Sequence, residues 1–287
     1  RRWVAVNKFQ LGYVRLLQGR YAEALAIYAE ARDIFEGLGE PRMVATAWHQ
    51  MGMVHQDAGQ YDQAERAYRQ SLAIEVRLKD QAGEASTLNE LGNLYDAMGR
   101  LEEAVTFYQQ AADIYVELQD LRHEGAARNN VADTLIKLGR YDEARRELER
   151  AIECDKAFGH AAEPWKTWDI LHDLEQVAGD PQAAAQARQQ AVQTYLAYRH
   201  AGGESRTTGA KLCTLVAQAI RQGDTTEVER LLARYLGPDA VPQAKAMIPK
   251  LQAILRGFRD PALATDPNLD YHDAVELQLL LEALESM

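Results

Sequence analysis

The chain has 287 residues, 47% of them hydrophobic and 26% charged, which is enough for a sizeable core and ordinary for a soluble protein. Its formal net charge of −11 argues against a general nucleic-acid or anionic-membrane binder, and no run approaches the roughly 18 apolar residues of a membrane span. Cys154 and Cys213 stand far apart and outside any Cys/His cluster, so a reducing cytoplasm with both thiols packed as small hydrophobes is expected.

The first segment reads "RRWVAVNKFQLGYVRLL". Its apolar residues are interrupted by Asn7, Lys8, Gln10 and Arg15, and it lacks the continuous apolar core of a signal peptide. It starts without methionine and in mid-pattern, so a preceding repeat or a covalently linked upstream domain is expected to cover it.

From there the chain repeats itself. Gly19, Gly59, Gly99, Gly139 and Gly179 follow one another at intervals of 40 residues. The fifth residue after each is alanine (Ala24, Ala64, Ala104, Ala144, Ala184), and the twelfth is small (Ala31, Ser71, Ala111, Ala151, Ala191). Seven before them stand Gly12, Gly52, Gly92, Ala132 and His172. A glycine after a periodic segment stops a helix, because only glycine takes the left-handed conformation cheaply. Tyr21, Tyr61, Leu101 and Tyr141 then open a second helix about two residues on, which makes the two helices antiparallel neighbours. Small residues let them approach, large ones such as Leu91, Tyr95 and Tyr108 fill the gaps, and each hairpin must stack on the next to bury both faces.

The pattern decays toward the C-terminus. "EPWKTWDILHDLEQVAG" carries His172 where glycine stood and Glu175 where an aromatic stood. Trp168 falls on a large packing position, whereas Trp165 has no assigned role. The next unit needs four extra residues in "HAGGESRTTG" before Gly223 takes the glycine role, and its partner helix has Val228 in place of alanine. Beyond Gly237-Pro238, two further helices are expected at about 240–258 and 270–286, separated by Asp-Pro turns. The organisation expected is therefore a repeat array over 1–236 and a helical cap over 237–287.

These positions resemble the tetratricopeptide repeat. Trp48, Met51-Gly52, His55, Gly59, Ala64, Tyr68 and Ser71 match its large and small positions, as do Leu88, Leu91-Gly92, Tyr95, Gly99, Ala104, Tyr108 and Ala111. The usual period is about six residues shorter. The long form is similar to the repeats of kinesin light chains, of polarity adaptors, and of bacterial STAND NTPases and CHAT proteases. The resemblance implies an all-α, right-handed α-solenoid of stacked antiparallel helix pairs, and a protein- or peptide-binding scaffold. The alternative is the sensor or autoinhibitory arm of a larger signalling enzyme.

Enzyme signatures are missing: no phosphate-cradling glycine loop, HExxH, GxSxG or EF-hand loop occurs. His49 and His55 are six apart, not a same-face metal spacing. No catalytic residue, metal or cofactor is expected.

In the family, groove-facing residues lie two and three before the small position of the first helix and one and four after it. Carried over, they are His49, Gln50, Met53 and Gln56; Asn89, Glu90, Asn93 and Asp96; Asn129, Asn130, Asp133 and Ile136; and Asp169, Ile170, Asp173 and Gln176. In the first segment, Phe9 and Tyr13 are the matching apolar groove or domain contacts. Asparagine is a mediocre helix former, yet its carboxamide offers donors and an acceptor that match an extended backbone. The resemblance implies that Asn89, Asn93, Asn129 and Asn130 grip a peptide. The excess of Glu90, Asp96, Asp133, Asp169 and Asp173 over Lys137 and Lys166 favours a basic or mixed-charge partner. The bland alternative is a solvated groove surface without a ligand.

Overall fold

A computed structural model describes residues 1–236 and 242–286. They are helical apart from turns and short 3-10 segments, and fall into two compact units, Arg1–Phe158 and Gly159–Met287. The boundary expected at Gly237-Pro238 lies outside the described residues.

The first unit contains four hairpins: α1 (Arg2–Leu17) with α2 (Tyr21–Gly37), α3 (Pro41–Asp57) with α4 (Tyr61–Leu78), α5 (Gln81–Ala97) with α6 (Leu101–Glu117), and α7 (Leu121–Lys137) with α8 (Tyr141–Lys156). Each helix packs on the one before and the one after, which is the stacking of an all-α solenoid. The expected glycine stops are real. Gly19, Gly59, Gly99 and Gly139 all have φ between 68° and 73°. At the second of them, Gly59 N–H donates to Gln56 O at 2.9 Å and Gln60 N–H to His55 O at 2.8 Å, satisfying two carbonyls that the helix leaves orphaned. Half a period on, the second helices end in the same way, but Lys79 (φ 54°) and Gln119 (φ 56°) take the left-handed position. The sequence pattern concealed these turns because glycine is missing there.

Within each hairpin the small position of the first helix receives the ring of a tyrosine from the second. A Cβ added to Gly12 would lie 2.8 Å from the Tyr28 ring, and one added to Gly52 or Gly92 only 2.5 Å from Tyr68 or Tyr108. The fourth hairpin has Ala132 and, in the tyrosine register, the smaller Leu148, both buried. The two substitutions compensate in volume. Tyr28, Tyr68 and Tyr108 are buried themselves, and each contributes about 1.5–3 kcal/mol by leaving water.

The outer face of α1 differs from its counterparts. Leu11 and Val14 are each 43% exposed, whereas Leu91, Val54 and Leu94, in the same registers, are fully buried. The preceding hairpin's second helix covers that face in the interior repeats. Trp3 and Leu17 extend the apolar strip on α1.

In the second unit, α9 (Pro164–Ala178) and α10 (Pro181–His200) form a fifth hairpin, turned by Gly179 at φ 83°. His172, in the glycine register, turns its Nδ1 to the Ala184 carbonyl at 2.8 Å. Trp165 is buried against Tyr195 and Tyr198, which gives it the packing role the sequence left open, and Trp168 packs on the same cluster. Then follow α11 (Thr208–Gln222), α12 (Thr226–Tyr235), α13 (Pro242–Leu255) and α14 (Tyr271–Glu285). The last two match the helices expected beyond the decay, and Gly223 (φ 74°) stops α11 as expected. Leu212, Val216, Leu232, Ile248, Leu251 and Leu277 form their shared core.

Two stability predictions follow from the turn and the notch. Lys79→Gly and Gln119→Gly should each stabilise the protein by about 0.5–1 kcal/mol in urea unfolding, since the left-handed strain outweighs glycine's extra chain entropy. Gly92→Ala should cost about 1–3 kcal/mol by overpacking, and adding Tyr108→Leu should recover much of it, as the Ala132–Leu148 pair does naturally.

Candidate functional site

In the first unit, the face formed by α3, α5 and α7 carries the expected polar residues. Its geometry begins with the tyrosines. Having crossed the glycine notch, each ring delivers its hydroxyl to this surface. Tyr28 donates to Gln50 Oε1 at 3.3 Å, Tyr68 to Gln56 Oε1 at 3.0 Å, and Tyr108 to Asn93 Oδ1 at 2.7 Å. Burial raises Tyr28 to about 12 and holds Tyr68 and Tyr108 higher still, so all three remain donors.

Asn93 is doubly engaged. Its Nδ2 donates to Glu90 Oε2 at 3.1 Å, while its Oδ1 accepts from Tyr108. The carboxylate accepts only, which orients the amide and leaves its second N–H for another acceptor. Between α5 and α7, Asn130 Nδ2 donates to Asn89 Oδ1 at 3.1 Å. Asn89 Nδ2 donates to no described residue. These carboxamides are brought together in a rung across neighbouring hairpins. Asn129, beside them, is half-buried, and Asp133 is exposed.

Charge is distributed differently from the simple acidic excess. Lys137 reaches Asp96 at 2.9 Å and Asp133 at 2.8 Å, so two of the carboxylates are already paired. Glu90 is the distinctive acid. Burial raises its pKa, the Asn93 hydrogen bond opposes that, and Asp57 adds to the rise.

Two expected residues do other work. His49 is mostly buried, lies edge-on to Tyr68 at 5.6 Å, and bonds through Nδ1 to Thr87 Oγ1 at 3.0 Å. Thr87 donates to Glu75 at 3.1 Å, and Ser71 Oγ lies 2.9 Å from Glu75 Oε1 and 2.7 Å from the Ala45 carbonyl oxygen, its single hydrogen serving one of the two at a time. His49 is thus the end nearest this face of a buried polar chain between the second and third hairpins. Its burial lowers its pKa to about 4. Phe9, in the same register, packs edge-on to Tyr28 at 5.5 Å and against Phe35 at 5.7 Å. It belongs to the hairpin core rather than to an open groove, because this register lies over the tyrosine of its own hairpin. Tyr13, in contrast, is half exposed. Gln50 and Met53 are half-buried on the face itself.

Asp169 and Asp173 lie on α9, in the second unit. Burial and then the Asp173 charge push Asp169 up to about 6. Among the described residues, no group of three or more His, Cys, Asp or Glu is arranged to hold a metal ion, and no helix is long and apolar enough to cross a membrane.

The tyrosine hydroxyls and the Ser71–Glu75–Thr87 chain were not anticipated as parts of this surface. The recurrence of glycine and tyrosine 16 residues apart, at 12 and 28, 52 and 68, and 92 and 108, was their signal.

Antiparallel hairpins in a 40-residue register, stacked through small first-helix positions, define a helical-repeat scaffold. The tetratricopeptide-repeat family profile matches residues 3–75, 43–117 and 83–157, more than half the chain, and the protein belongs to that family. Its fold is similar to that of a putative kinesin light chain repeat protein from Podosopora anserina (18% identity, 68% of this chain and 95% of that one, TM-score 0.58). It is also similar to BtubC (BKLC) from P. vanneervenii (20% identity, 88% and 93%, TM-score 0.55). Aspartyl phosphate phosphatase F from Bacillus subtilis aligns over 98% of this chain and 70% of its own, at 16% identity and TM-score 0.61. No curated protein sequence matches.

The buried histidine gives a pH prediction. The unfolded chain takes up a proton near the ordinary value of 6.5 that folded His49 refuses until about 4. Stability is therefore intact above that window and falls as the pH drops through it, by about 2–3 kcal/mol from this residue. Urea unfolding of wild type and His49→Gln across the window checks this: the difference between them should shrink as pH falls.

Proposed function

We propose that the α3–α5–α7 face holds an extended segment of a protein partner and performs no chemistry of its own. Tetratricopeptide-repeat proteins generally bind proteins, and the observation supporting this site is the Asn89–Asn130 rung. Asn89 presents both amide hydrogens, Asn93 presents one, and half-buried Glu90 lies beside them. An extended backbone supplies carbonyls for those donors at two-residue intervals, and a Lys or Arg side chain supplies charge for Glu90. Hydrogen bonds of this kind net about 0.5–1.5 kcal/mol each, so they set position and register while Met53 and Tyr13 add apolar contact. A basic or mixed-charge peptide fits this surface better than an acidic tail.

The reading is tested with peptides selected on the wild-type protein from a random 12-residue display library. Substituting Asn89, Asn93, Asn129 and Asn130 by alanine should weaken them by about tenfold or more, with the helical signal and melting cooperativity retained. Unchanged affinity in that variant would remove the groove from consideration.

A second reading, the sensor arm of a larger signalling enzyme, is favoured by the apolar outer face of α1. Its occupant would be a helix of the linked enzyme domain, taking the place that a preceding second helix takes in the interior repeats. Leu11→Glu with Val14→Glu should then alter the activity of the intact parent enzyme, and unaltered activity would count against it.

A further inference from the structure

The second unit contains a cavity of about 340 Å³ between α11, α13 and α14, within the size range of small-ligand pockets. Leu212, Ala244, Met247 and Ile248 give it apolar walls. Thr207, Thr208, Gln243, Asp270 and His272 add polar groups to the lining, and one further acid is more deeply buried. Asp273, in the first turn of α14, lines the cavity with only 8% of its surface exposed.

The neighbouring carboxylates are accounted for. Asp270 caps α14 by accepting from Asp273 N–H at 2.7 Å. Glu276 is paired with Arg199 and accepts from Tyr195 Oη at 3.3 Å. The Asp273 carboxyl accepts no hydrogen bond from any described residue. Its two acidic neighbours only add repulsion, and burial together with that repulsion pushes it up to about 7. Buried polar groups are ordinarily hydrogen-bonded, so this one calls for a partner.

The backbone opposite is shaped to admit it. A Cβ on Gly209, in the first turn of α11, would lie 2.0 Å from Asp273 Oδ1. Glycine is a poor helix residue, and here its missing side chain is what lets the carboxyl occupy that point. Alanine would force it away.

We propose that this cavity binds a primary alkylammonium group, with the alkyl body against Leu212, Met247 and Ile248 and the ammonium on the Asp273 carboxylate. A compact ammonium brings three donors and the compensating charge and can rest on one carboxyl oxygen, whereas a bidentate guanidinium needs both oxygens open, and Asp273 Oδ1 is packed against Gly209. The ammonium can come from a free amine or from a lysine side chain, and the two are separated by their probes.

The experiment is calorimetric titration of the whole chain at about pH 8, where the acid is ionised, with n-hexylammonium, 1-hexanol and N-acetyl-lysine methylamide. Hexylammonium should bind about tenfold or more tightly than the isosteric alcohol, because only the cation answers the buried charge. Asp273→Asn should erase that preference and also raise the melting temperature of the ligand-free protein, by removing an unpartnered acid. Gly209→Ala should weaken hexylammonium binding. Tighter binding of the lysine derivative than of hexylammonium assigns the site to a protein side chain, and the reverse order assigns it to a free amine. Equal binding of amine and alcohol, no binding of either ammonium probe, or a preference that survives Asp273→Asn overturns the proposal.

Discussion

The close approach of a second-helix tyrosine to a first-helix glycine is the contact on which the first unit depends. It draws the two helices of a hairpin to a separation that no first-helix side chain would allow. It also buries a large ring at the centre of each of three hairpins. Because the ring spans the hairpin, its hydroxyl emerges on the far side, next to Gln50, Gln56 or Asn93. Packing and surface chemistry are therefore coupled in one residue. A change that disturbs the notch also withdraws a hydrogen-bond donor from the groove face.

That coupling explains how mediocre helix formers persist in α5 and α7. Asn93 is held by Tyr108 and Glu90, and Asn89 by Asn130 on the next hairpin. Tertiary partners replace what the local propensity lacks. The same bonds limit what the asparagines can offer, since an amide engaged on one side has only its remaining groups free.

The second unit keeps the helix pair but abandons the notch. His172 and Arg188 stand in the glycine and tyrosine registers, and His172 reaches a backbone carbonyl instead. The space released from strict repetition is filled by a conventional apolar core and by buried acids. Glu276 is neutralised by Arg199, whereas Asp273 has a glycine-sized recess and no donor among the described residues. A purely structural acid would be expected to resemble the first of these.

The sequence by itself determined the helix pairs, their antiparallel order and the positions of the first-helix turns. Each of those depends on a short-range property, the conformational freedom of one glycine or the spacing of small and large residues, that the chain states every 40 residues. It also located most of the polar face, because a fixed period carries a face from one unit to the next. Only the tertiary structure decided which of those residues face outward. Phe9 and His49 share a register with Asn89, yet both turn onto the tyrosine of their own hairpin. The left-handed turns at Lys79 and Gln119 and the pairing of Lys137 with two acids were likewise decided by neighbours distant in sequence. The physical reason is that a side chain's orientation depends on who occupies the adjoining hairpin, and periodicity specifies the address of that neighbour without its hydrogen-bonding demand.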